Sequence, residues 1–193
     1  MKKRRKKRFS KSIWIAILLF LLAVLSFPQW ISNFYPQPHH DLVFQLAGEH
    51  NVDPYLVFAI IRAESKFETS AQSPVGARGL MQIMPETAAW IASQQGINGF
   101  QPEQLHDPEL NISFGCWYLN NLNQEFEGRL PLVLAAYNAG RGKVKEWIVS
   151  EQWDGSADNL DKIPFDETRE YVKSVLKNYE AYQAIYSETG GRF

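Results

Sequence analysis

The sequence predicts an all-α domain, with at most a minimal β hairpin, and three observations carry that prediction. From Leu42 onward, apolar residues recur at spacings of three and four. Helix starts are marked by a cap residue followed by proline, as at Asp53-Pro54 and Asp107-Pro108. No segment sustains the alternation of a half-buried strand, and no internal repeat is present.

The elements follow in order. The first eleven residues hold eight of the chain's 20 basic side chains and no acid, so the remainder carries 12 basic against 21 acidic residues, a net of −9. No charged residue occurs from Ser12 to Gln37, and the dense apolar run reaches about Phe27, with Trp30 and Ile31 beyond Pro28. A bilayer-spanning helix needs ~20 mostly apolar residues, and a basic flank on one side orients it with the N-terminus in the cytoplasm. The expectation is a basic cytoplasmic tail at 1–11, a transmembrane signal anchor at 12–32 and a proline-stiffened linker at 33–41. The alternative is a signal peptide cleaved near Val24-Leu25-Ser26. Either reading exports the body of the chain, and the apolar run beside the basic tail argues against nucleic acid as its partner.

The body, 42–185, is read as one helical domain, followed by a short tail at 186–193. Hydrophobic content of 45% excludes a disordered chain. Leu42, Val43, Leu46 and Ala47 form a first helix, and Asp53-Pro54 opens a second that runs to Glu64. Residues 68–84 read as a Ser-, Gly- and Gln-rich loop, and Pro85-Glu86-Thr87 starts the next helix. After a loop at 96–106, a helix from Asp107-Pro108 carries Ile112, Cys116, Leu119, Leu122 and Phe126 on one face. Helices follow from Leu132 to Tyr137 and around Val144 to Ile148. A polar surface loop covers 151–162, and the last helix starts near Pro164 with Tyr171, Val172, Val175, Leu176 and Tyr179 as its stripe. About seven helices result.

Residues 57, 60, 61 and 64 share one helical face, so Glu64 continues an apolar stripe instead of pointing away from it. Burial raises a carboxyl pKa, and a protonated Glu near neutral pH is a general acid suited to a glycosidic oxygen. The competing reading is a solvated helix end paired with Arg62 or Lys66. No Ser/His/Asp set, phosphate loop or paired Cys or His ligands compete with it. His39-His40 beside Asp41 reads as solvated linker, and His50 and His106 stand alone, so neither metal nor cofactor is expected. Cys116 is the one cysteine, which rules out an intrachain disulfide and fits a buried apolar position.

Four segments in order, Glu64-Ser65-x-Phe67, Ser73-x-x-Gly76-Ala77-x-Gly79-Leu80-Met81-Gln82, Ala135-Ala136-Tyr137-Asn138-Ala139-Gly140 and Ile163-Pro164-Phe165-x-Glu167-Thr168-Arg169-x-Tyr171-Val172, resemble the soluble lytic transglycosylase family. The resemblance covers roughly 42–185. It implies a goose-lysozyme-like helical fold and cleavage of the MurNAc–GlcNAc bond of peptidoglycan, leaving a 1,6-anhydro-MurNAc end. It implies that Glu64 acts first as acid, then as base for the C6 hydroxyl. It implies that Ser73 and Gln82 hydrogen-bond the sugar and that Gly76 and Gly79 let backbone approach it; as bare sequence these glycines are equally turn positions. Met84 is a groove candidate and Met81 a core one. Tyr137 would orient the acid or the acetamido group. Asn138 and Glu167 are either helix caps or groove residues, and Tyr171 faces either core or groove. Peptidoglycan strands are the expected partner and a membrane-anchored monomer the expected form. A hydrolase of the same fold would need a second carboxylate, for which Glu68, Glu86, Asp107 and Glu167 are available. A non-catalytic wall-binding scaffold is the remaining alternative.

Overall fold

The structure, a computed structural model, describes residues 11–187, with the backbone alone at 11–12 and 24–32. The basic tail before Lys11 and the end of the C-terminal tail, 188–193, lie outside the described residues. The chain divides into two compact units between Pro36 and Gln37.

The first unit holds helix α1, Lys11–Phe34. Its described side chains from Ile13 to Leu22 are apolar and largely exposed, Trp14, Leu19 and Phe20 most of all. Among the described residues no helix is long and apolar enough to cross a membrane. The expected span at 12–32 is therefore not met there. Side chains from Ile13 to Ala23 account for ~16 Å of helix against a hydrocarbon core of ~30 Å, and residues 24–32, on which spanning depends, have no described side chains.

The second unit is helical, with α2 (His40–Glu49), α3 (Pro54–Glu64), α4 (Pro85–Gln94), α5 (Pro108–Glu125), α6 (Leu130–Ala139), α7 (Arg141–Val149) and α8 (Asp166–Tyr186). Short 3-10 helices at Pro102–His106 and Ala157–Lys162 occupy stretches expected to be loops. Because α2 begins at His40, the expected linker at 33–41 is cut short; the His40 ring stacks on Phe44 at 4.4 Å. In the 68–84 loop, isolated bridges pair Gln72 with Arg78 and Arg78 with Ile83, and no hairpin strands form among the described residues. Residues 151–162 are more than a surface loop, since Trp153 is buried in the core.

Helix α3 is the axis of this unit. Pro54 at its first turn needs no backbone donor, and the Asp53 carboxylate caps it by accepting from the Tyr55 N–H at 2.8 Å. Leu56 through Ile61 are all buried, so α3 is enclosed on every side, where the sequence suggests a single apolar face. Helix α8 is its main neighbour and also covers α6. Phe58 stacks on Tyr182 at 5.6 Å, and burying such a ring contributes on the order of 2–3 kcal/mol. The second oxygen of Asp53 accepts from the Tyr179 hydroxyl at 2.6 Å and the Gln183 amide at 3.3 Å, tying the start of α3 to α8. Ile112, Cys116, Leu119, Leu122 and Phe126 of α5 are buried as their spacing predicts, and burial pushes the Cys116 thiol up to about 12.

Candidate active site

Glu64 is the last residue of α3, held where an enclosed helix meets the loop that starts at Ser65. Ser65 ends the helix: its hydroxyl donates to the Ile61 carbonyl at 3.2 Å and accepts from the Phe67 N–H at the same distance. Lys66 and Phe67 then take left-handed backbone, turning the chain sharply away. Lys66 is exposed.

Burial is the largest influence on that carboxyl, raising it from 4.5 to about 7. The Tyr171 hydroxyl offsets part of this, and the negative charge of Glu167 adds to it. No hydrogen bond of ordinary geometry closes between Glu64 and Tyr171, whose buried hydroxyl has no other partner. Burial, then the neighbouring Glu64, holds Tyr171 and Tyr137 well above the usual phenol range, so both remain O–H donors.

The loop beside Glu64 is held by Asn111, a fully buried residue of α5. Its oxygen accepts from the Met81 N–H at 2.8 Å, and its nitrogen donates to the carbonyls of Arg78 at 2.9 Å and Leu105 at 2.8 Å. Every donor and acceptor is used, three to backbone, so the side chain substitutes for secondary structure. Gly79 exists for this contact. Its φ is +76°, and a Cβ there would stand 2.1 Å from the Leu105 oxygen and 2.3 Å from the Asn111 nitrogen. The side of Gly79 where a Cβ would stand is thus filled by Asn111 and the Leu105 carbonyl. Gly76, with φ +96° and open space around it, is a turn residue.

Ser73 also serves the loop. Its hydroxyl accepts from the Ala77 N–H at 3.0 Å. Gln82 lines the cleft, yet both of its amide protons are spent, on Gly79 at 2.8 Å and Ala71 at 3.2 Å. Only its oxygen is left to meet a ligand. Met81 is buried core, its sulfur against Gly115, whereas Met84 lines the cleft.

Tyr137 closes the arrangement: its hydroxyl donates to the Met81 carbonyl at 2.8 Å, linking α6 to the loop. Gln82, Met84, Thr87, Tyr118, Tyr137 and Asn138 are among the walls of a cleft of about 250 Å³. Asn138 also borders a second recess with Pro164, Phe165 and Glu167. The two recesses meet at Asn138 and Ala139. Asn138 is fixed there by the Thr168 hydroxyl, which donates to its side-chain oxygen at 2.7 Å. Glu68, by contrast, is exposed and engaged with Ser70, accepting from its hydroxyl at 2.6 Å. Of the spare carboxylates, Glu167 is the one whose charge reaches Glu64. Among the described residues no group of three or more His, Cys, Asp or Glu side chains could hold a metal ion.

Residues 41–159 match the family model for the transglycosylase SLT domain, and 162–191 match that for the soluble lytic transglycosylase helical domain. The chain belongs to the transglycosylase SLT domain family. It is 41% identical over 159 residues to the soluble lytic murein transglycosylase of Escherichia coli K12, covering 79% of this chain and 24% of that protein. It is 32% identical over 166 residues to the membrane-bound lytic murein transglycosylase C of Actinobacillus pleuropneumoniae, covering 75% of this chain and 45% of the relative. The fold is similar to that of the 70 kDa soluble lytic transglycosylase of E. coli, with a TM-score of 0.72 and 37% identity over 80% of this chain and 25% of that one. An inactive mutant of lytic transglycosylase Slt from Pseudomonas aeruginosa gives 0.70 and 35%, over 80% of this chain and 25% of that one. The SLT-domain chain thus spans about a quarter of the length of its E. coli relative.

Sequence reasoning missed Asn111 and Thr168 as supports of this SLT-domain site. A polar residue at an inward position of α5 was the available signal for Asn111. Thr168 stands in the fourth motif, but its partner Asn138, thirty residues away, is not marked there.

Proposed function

We propose that this chain is a peptidoglycan lytic transglycosylase in which Glu64 cleaves the MurNAc–GlcNAc bond, acting first as acid and then as base. The observation that carries the reading is Glu64 itself, a carboxyl raised to about 7 and within electrostatic reach of Tyr137, which walls the cleft, in an SLT-domain fold. A group with that pKa is substantially protonated at neutral pH, so it can donate to the leaving glycosidic oxygen. Once ionised, it takes the proton from the C6 hydroxyl of the muramic acid as that oxygen attacks C1. The products are the freed GlcNAc hydroxyl and a 1,6-anhydro-MurNAc end; one bond breaks, one forms, and Glu64 returns to its starting state.

The surrounding residues have matching roles in this reading. Tyr171, with its unsatisfied hydroxyl turned to the acid, donates to the carboxylate once Glu64 has lost its proton. Tyr137 fixes the loop through Met81 and forms the cleft wall. The Gln82 oxygen, Met84 and Asn138 face the sugar, while Ser73 and Gly79 act by shaping the loop.

Glu167 carries a second reading. A carboxylate within electrostatic reach of the acid is what a lysozyme-type hydrolase would use to activate water. Mass spectrometry of digested peptidoglycan separates the two: transglycosylation gives anhydro ends, each lighter by one water than the reducing ends hydrolysis leaves.

The enzyme works as a monomer outside the cytoplasmic membrane, tethered by the N-terminal segment. Support for the tether comes from the uncharged run from Ser12 to Gln37 behind the basic tail, and from the exposed apolar side chains of α1. Fractionation tests it: the full chain is expected with membranes and resistant to salt extraction, and recovery in the soluble fraction would refute the tether.

A further inference from the structure

Beside the cleft lies a recess of about 410 Å³, walled by Glu86, Thr87, Trp90, Tyr118 and Arg141. Thr87 and Tyr118 line both, so the two are continuous. The Arg141 guanidinium sits in an aromatic corner, 5.0 Å from the Trp90 ring centre and 5.5 Å from that of Tyr118. Its Nη2 donates to the Asn121 oxygen at 2.9 Å, and its Nη1 lies 2.8 Å from Glu125. These contacts hold the planar group in one orientation, yet its side chain remains 34% exposed, enough to meet a ligand. One of its five N–H groups is committed to Asn121, and Glu125 is an ion-pair partner. Glu125 does not neutralise the corner, because it is shared with Lys145 at 2.5 Å. Glu86, the acid in the lining, is exposed and solvent-screened.

We propose that this corner is an anion subsite that takes a carboxylate of the acidic peptide stem carried by a glycan strand lying in the cleft. The proposal rests on the peptidoglycan reading above. The amino-sugar backbone offers hydroxyl and acetamido groups, whereas the free carboxylates of such a polymer lie on its stems. A fixed guanidinium recognises a carboxylate through paired N–H donors, and the exposed Trp90 provides an apolar wall for the stem's aliphatic carbons. The site therefore favours strands whose stem carboxylates are free over strands whose stem carboxylates are amidated.

The test is calorimetric binding to the full-length Glu64→Gln protein, using soluble glycan oligomers with stems and the same oligomers with their stem carboxylates amidated. Oligomers with free stem carboxylates are expected to bind more tightly, and Arg141→Gln to cost them roughly tenfold in affinity while leaving the amidated oligomers unchanged. Arg141→Lys, which keeps the charge opposite Glu125, is the folded control and should recover part of the loss. Equal weakening of both oligomers, equal affinity of both in the parent protein, or no loss on Arg141→Gln would overturn the subsite. If Glu64→Gln still cuts the oligomers, the catalytic reading fails instead, and the binding ratio is then measured at a temperature where cutting is slow.

Discussion

Glu64 is retained as an acid at a cost to stability. Its pKa is raised from 4.5 to about 7 in the folded state, so the unfolded chain releases this proton first. Stability therefore falls as pH rises through that window, by about 3 kcal/mol if the whole shift is expressed. Glu64→Gln removes the penalty: thermal melts should show the variant more stable than wild type at pH 8 and no different at pH 4. Cleavage, which needs the protonated form, should decline as pH rises through 7. Gly79→Ala and Asn111→Ala test the loop beside it. Removing Asn111 strands one N–H and two carbonyls, and a loss of about 3 kcal/mol or more is expected in urea titrations. Gly79→Ala should be comparably damaging, since its Cβ would meet the backbone oxygen of Leu105. The burial of the Glu64 carboxyl was legible in the sequence because it prolongs an apolar stripe. The role of Gly79 was not, since a glycine shows that a side chain is excluded without showing what excludes it.

At the scale of elements, the junction of α3 and α8 decides whether Glu64, Tyr171 and Glu167 meet. Asp53 holds it with one oxygen on the α3 N-terminus and the other on Tyr179 and Gln183. Asp53→Ala should cost about 2–3 kcal/mol, the sum of a lost cap and a lost charge-assisted bond. Tyr179→Phe should cost about 1–2 kcal/mol, and the double variant less than the two together, since they share one interaction. Urea unfolding of the four proteins measures this coupling. The cap itself was readable, because Asp-Pro before an apolar run has a local cause. Its second duty was not, because 126 residues separate Asp53 from its partner Tyr179. The same distinction explains the loops. The 3-10 helices and the burial of Trp153 depend on what packs above them, and neither periodicity nor composition records that.

For the whole molecule, charge and hydropathy divide the sequence near the point where the structure divides it, between Pro36 and Gln37. The second unit contains its own core, so a chain starting at Gln37 should fold with an unchanged melting temperature and keep its activity on soluble glycan. The lone carboxyl on a dry helix pointed to acid chemistry, and four motifs in order pointed to the family. The sequence could not rank the remaining carboxylates, because Glu68 is near Glu64 in the chain while Glu167, a hundred residues away, is the one whose charge reaches it. The most direct test is mass spectrometry of the fragments released from purified peptidoglycan by wild type and by Glu64→Gln. Fragments ending in 1,6-anhydro-MurNAc are expected from the wild type and none from the variant. Reducing ends alone from the wild type, or anhydro ends persisting with Glu64→Gln, would contradict that expectation.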